Sequence, residues 1–99
     1  MDNELDIFRG YVLNAVANDY ENADLITKEV AQWALEEKKS FSHDMLIRAL
    51  STLIQDGLID CYRFSQSKGN YERCEFEIGK LNDLWFYISK KGKEHPAVT

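Results

Sequence analysis

Ninety-nine residues, 44% of them hydrophobic and 12% aromatic, suffice to bury one core, so a single domain is expected. A net charge of -5 and a pI near 4.9 have the wrong sign for a surface that attracts nucleic acid or acidic lipid everywhere. The start "MDNELDIF" is acidic where a signal peptide would be basic, and no apolar run approaches a membrane span, so a soluble, cytoplasmic protein without a membrane contact is expected.

In chain order, "ELDIFRGYVLNAVANDY" places Leu5, Phe8, Val12 and Ala15 at helical spacing, with Tyr11 and Val16 widening the stripe, which predicts a first amphipathic helix. "LITKEVAQWALEEKK" predicts a second, shorter one. Thr27 is its expected N-cap, and Val30, Ala31, Ala34 and Leu35 its buried side, with Trp33 at the margin. Ser42 caps a predicted third helix, and Phe41 and Leu46 stand where a hydrophobic staple would join them. Leu46, Ala49, Leu50 and Leu53 form its core stripe, and Gly57 follows where a left-handed residue ends a helix. Beyond Gly57 the period becomes two. "LIDCYRFSQ" and "RCEFEI" read as strands of a hairpin turning at Gly69 and Asn70, with Cys74, Phe76 and Ile78 on one face. A second turn at "GKLND" leads to "LWFYIS", apolar on both faces. The predicted class is α+β, three helices followed by a three-strand meander, in one domain over residues 1–95 with a tail at 96–99.

Charge is distributed unevenly: residues 1–60 hold five basic against twelve acidic side chains, residues 61–99 seven against five. Any phosphate contact is expected to begin in the C-terminal part. Cys61 and Cys74 lack the C-x-x-C spacing of a zinc site, and both are expected to be reduced, buried in apolar roles and slow to react. The two histidines, His43 and His95, have no nucleophile or carboxylate at a recognisable spacing, and there is no phosphate-binding glycine loop, H-E-x-x-H or calcium loop. The expectation is therefore no enzyme, no metal and no cofactor.

The run "ITKEVAQWALEEKKSFSHDMLIRALSTLIQDGLIDCYRF" resembles the core of winged-helix domains of the MarR and PadR regulator type, and "FYISKKGKEH" is similar to the segment that closes them. The resemblance covers about 70 residues from Leu25 onward. It implies a three-helix bundle with a wing, the third helix reading the major groove and the hairpin loop touching phosphate. Carried onto this chain, it implies Arg48, Ser51 and Gln55 on the helix, and Lys68 and Arg73 on the wing, as DNA contacts in a transcriptional regulator. The chain departs from MarR proteins in lacking long dimerisation helices after the wing. Without them no small-molecule ligand is inferred.

Two features oppose that reading. Asp44 precedes Arg48 by four residues, the favourable order for an intrahelical ion pair, and so few cations predict weak, steeply salt-dependent DNA binding. The alternative is a protein-interaction adaptor. In "LWFYI", Leu84, Phe86 and Ile88 serve the core while Trp85 and Tyr87 point away from it, as residues of a contact surface do. A homodimer through Trp85 and Tyr87, with Phe8 and Tyr11 of the first helix as additional surface, is the expected assembly.

Overall fold

The computed structural model describes residues 4–98; the acidic start at Asp2 and the final Thr99 lie outside the described residues. Its elements are α1 (Glu4–Ala15), β1 (Glu21–Asn22), α2 (Ala23–Glu36), α3 (His43–Gln55), β2 (Ile59–Ser65), β3 (Asn70–Arg73), a 3-10 turn (Ile78–Asp83), β4 (Leu84–Ile88) and α4 (Lys90–Lys93). This is an α+β chain in which helices cover one face of a four-stranded antiparallel sheet. No helix among the described residues is long and apolar enough to cross a membrane.

The first helix follows its sequence pattern, burying Phe8, Val12 and Ala15 and, in addition, Leu13. It packs against both α2 and α3. In the second helix the start and the phase differ from expectation. Asn22, not Thr27, is the N-cap, accepting from the Leu25 amide at 2.9 Å, while the Thr27 hydroxyl donates back to the Ala23 carbonyl inside the helix. The buried stripe is accordingly Ala23, Ile26, Val30 and Ala34; Ala31 is exposed and Leu35 is 76% exposed. Asn22 also pairs with Trp85 as part of β1, so the cap is set by a strand partner more than sixty residues away.

Local chemistry fixes α3 at both ends. Ser42 Oγ accepts from the Met45 amide at 3.1 Å, and Phe41 packs on the core with its ring 5.0 Å from that of Phe8. At the C-terminus Gly57 takes φ 76°, its amide bonding Ile54 O at 3.0 Å while Leu58 bonds Leu53 O at 2.9 Å, the paired bonds of a Schellman ending. The chain's last segment then closes over this end. Ser89 donates from its amide to Leu58 O (2.9 Å) and from its hydroxyl to Gly57 O (2.6 Å), and Lys91 Nζ reaches Asp56 O at 2.9 Å. The C-cap carbonyl of α3, at Asp56, and the two that follow it are thus taken up by "SKKGK".

The sheet order is β1-β4-β2-β3, which corrects the expected meander: β4 passes β3 and pairs with β2, and β1 adds an edge. The hairpin is also shorter than "RCEFEI" suggested. β3 is Asn70–Arg73, with Ser65 opposite Asn70, and after Arg73 the chain leaves the ladder. Cys74 and Phe76 pack at the core's edge, but Ile78, expected beside them, is 55% exposed where the 3-10 turn begins. Past Pro96 the chain lies against α1, where the Asn14 amide donates to Ala97 O at 2.8 Å and Val98 packs on the core.

Candidate functional site

Register decides what the sheet shows to solvent. Side chains directly opposite in a ladder share a face, so Asn22, Trp85, Tyr62 and Arg73 lie in one row, Tyr87 with Asp60 in a second, and Phe64 with Tyr71 in a third. The rows between them, with Ile59, Cys61, Phe86 and Ile88, turn inward to the helices and are buried. The outer face therefore gathers five aromatic side chains from three strands.

A sixth completes it. Tyr20, from the connection before β1, lies over the sheet, stacked on Tyr71 with centroids 4.0 Å apart and planes 10° apart, and on Tyr87 at 4.9 Å, with an edge contact to Tyr62 at 5.0 Å. Its amide donates to Asp19 Oδ1 at 2.7 Å, which holds the backbone at that point. Tyr71 meets Trp85 edge-on at 5.5 Å and Phe64 at 5.2 Å, and Lys93 stands over Tyr87 at 5.5 Å. Trp85 and Tyr87 are thus half-buried, Tyr87 under Tyr20 and Lys93, and Trp85 against Tyr71. The open end is at Phe64, 43% exposed, beside an open cleft of about 430 Å³ lined by Arg63, Phe64, Gln66, Asn82, Asp83 and Trp85.

Burial, with Asp60 and Tyr20 close by, raises the Tyr62 hydroxyl above its ordinary pKa. Glu21 is raised for a similar reason, burial first and then the charges of Glu29 and Asp19.

The residues expected to touch DNA fall into two groups. Arg48, Ser51 and Gln55 share the outer side of α3, and Lys68 sits at the hairpin tip, but Arg73 belongs to the aromatic face, in register with Tyr62. Each of the three cations already holds a carboxylate of its own chain: Arg48 to Asp44 at 3.0 Å, Lys68 to Glu72 at 3.0 Å and Arg73 to Asp60 at 3.1 Å. The additional interface surface on α1 is corrected. Phe8 is 0% exposed, its ring against Tyr11 and Phe41 in the core, so it offers no surface, whereas Tyr11 is half-buried with its ring 5.9 Å from that of Trp33.

Sequence reasoning missed Tyr20, Tyr62, Phe64 and Tyr71. The alternation of Tyr62 and Phe64 with Cys61 was a usable signal, since the buried cysteine forces both rings outward. Tyr71 required the hairpin register and Tyr20 the β1 pairing, neither of which a single sequence supplies. Among the described residues no group of three or more His, Cys, Asp and Glu side chains is arranged to hold a metal ion. Comparison with protein-family models, with curated protein sequences and with solved structures finds no match in any of the three.

Proposed function

We propose that this chain is a winged-helix-type domain that works as a non-catalytic protein-interaction module and pairs with a second copy of itself through the outer face of its sheet. The arrangement of three helices against a sheet in which β1 pairs with the last strand supports the winged-helix reading. The observation that carries the interaction reading is the gathering of Tyr20, Tyr62, Phe64, Tyr71, Trp85 and Tyr87 on one sheet face turned away from the core. An aromatic side chain buries about 150–250 Å² in full, and these six, five of them half-buried and Phe64 43% exposed, offer their remaining area as one contiguous part of the roughly 800 Å² per partner of a stable interface. An isologous contact asks only that a patch complement itself. Tyrosine suits that demand, because its hydroxyl both donates and accepts while its ring stacks.

Sedimentation of the protein at micromolar concentration tests the proposal. A species of twice the 11.5 kDa chain mass is expected, reverting to monomer in Phe64→Ala with Trp85→Ala while helical content is retained. A single 11.5 kDa species throughout that range refutes it.

A second reading, DNA contact in a transcriptional regulator, is favoured by the exposed row of Arg48 and Gln55 on α3 with Lys68 at the hairpin tip. Exposed ion pairs are worth at most about 1 kcal/mol, so phosphate can displace Asp44 and Glu72, but every such exchange leaves a carboxylate beside the DNA backbone. Binding to mixed duplex DNA at low salt, lost in Arg48→Ala with Lys68→Ala, would support this reading; no binding there removes it.

A further inference from the structure

One residue beyond the Tyr62–Arg73 pair that ends the ladder, Cys74 still meets Cys61, its amide donating to the Cys61 carbonyl at 3.0 Å. Their side chains turn to the same face, and the two sulfurs stand 3.8 Å apart as free thiols. Closing that gap needs side-chain rotation. Cys74, just past the end of β3, is half-buried and lines an open cleft into which its side chain can turn.

Access differs between the two. Cys61 is buried on the inner face, 4% exposed. Cys74 is half-buried and lines a cleft with Arg63, Glu75, Glu77, Lys80 and Asp83, so a small reagent meets it first. Cys61 is thus buried as expected, whereas Cys74 is only half-buried.

We infer that Cys61 and Cys74 form a dithiol–disulfide couple, with Cys74 the attacking thiol and Cys61 the resolving one, oxidised by a low-molecular-weight disulfide. In the first step Cys74 Sγ, as thiolate, attacks one sulfur of the reagent; an S–S bond forms to Cys74, the reagent's own S–S bond breaks, and one small thiolate leaves. In the second, Cys61 Sγ attacks Cys74 Sγ, expelling the other small thiol, which takes up the Cys61 proton. The reagent gains two electrons and the protein loses them as the cross-strand bond forms. Burial, and next to it the neighbouring Cys74, pushes the Cys61 thiol up to about 12, so Cys61 is a poor nucleophile towards solution and acts only on a sulfur held against it. Uncatalysed exchange of this kind runs over minutes to hours, so the oxidation is expected on that timescale and not as a fast peroxide-sensing reaction.

The test is incubation of the folded, full-length chain with oxidised glutathione, followed by intact mass and peptide mapping. The expected product is a chain lighter by two hydrogens, with the peptides containing Cys61 and Cys74 joined, restored by dithiothreitol. Cys61→Ser is expected to stop at a glutathione adduct on Cys74. Cys74→Ser is expected to leave Cys61 unmodified until denaturant is added. Retention of both free thiols in the unsubstituted protein, a persistent glutathione adduct, or a disulfide joining two chains overturns the inference.

Discussion

Gly92 is buried in the short α4 helix, and a Cβ built on it falls 2.1 Å from the Leu58 carbonyl oxygen and 2.7 Å from Ile88 Cγ1. The nearer atom is backbone at the end of α3 and cannot rotate away, so Gly92→Ala requires α4 to retreat by more than about 1 Å to reach ordinary contact. That movement pulls on the clamp: Ser89 N to Leu58 O, Ser89 Oγ to Gly57 O, and Lys91 Nζ to Asp56 O. Each such bond is worth about 1 kcal/mol, and alanine returns at most about 1 kcal/mol of helix propensity. The net destabilisation is about 2–4 kcal/mol, a large fraction of the roughly 5–15 kcal/mol that holds a domain folded. At about 4–8 °C per kcal/mol for a chain of this size, thermal unfolding followed by circular dichroism should shift down by about 8 °C or more. Gly79→Ala is the internal control, since nothing lies within 4 Å of its Cβ position and its φ is not positive. If Gly92→Ala unfolds within error of Gly79→Ala, the close approach of Leu58 O is not what this glycine is for.

Asn22→Ala should cost about 1 kcal/mol by urea titration, through loss of the α2 cap, whereas Thr27→Ala should be nearly neutral, because its hydroxyl bonds a carbonyl that α2 already employs; equal losses would contradict the assigned helix start. Stability of the reduced protein should fall as pH rises from about 9 towards 12, because Cys61 and Tyr62 hold their protons more tightly in the fold than in the unfolded chain, and proton release then favours unfolding. In Cys61→Ala the decline should begin nearer pH 10, where tyrosine alone remains; stability level to about pH 12 would contradict both assignments.

What the sequence disclosed divides by the range of the interaction that sets each feature. Ser42, Phe41 and Gly57 were legible because a cap and a Schellman ending are decided within a few residues. Asn22 was not, since its position before α2 is coupled to the pairing of β1 with β4. Once the start is misplaced by a turn, the buried stripe is read out of phase, which is how Leu35 came to be expected inside while it stands 76% exposed. The alternation in "RCEFEI" was real in kind. It could not say where the partner strand ends, and beyond Cys74 there is no ladder to hold the pattern, so Ile78 turns outward. The expected order of strands failed for the same reason: a meander is the local solution, and the observed order places β4 between β1 and β2.

The candidate site shows the same division and bears on what the chain does. On α3, the pair Asp44 and Arg48 was legible from its spacing, and the structure has it at 3.0 Å. The two wing cations looked free in the sequence because their carboxylates come from the far side of a turn: Glu72 reaches Lys68 across the hairpin tip, and Asp60 reaches Arg73 from the neighbouring strand. Folding therefore pairs Arg48 and Lys68 with carboxylates, while it assembles aromatic rings from a connection and three strands on the outer face of the sheet, where Arg73 and Asp60 also lie. Burying polar or charged side chains without new partners is costly, whereas burying rings whose hydroxyls can exchange bonds across a two-fold axis is not. The proposed self-pairing on the aromatic face leaves the Arg48–Asp44 and Lys68–Glu72 pairs intact, whereas phosphate contact on α3 or the hairpin tip requires Arg48 or Lys68 to leave Asp44 or Glu72, with that carboxylate then facing the phosphates.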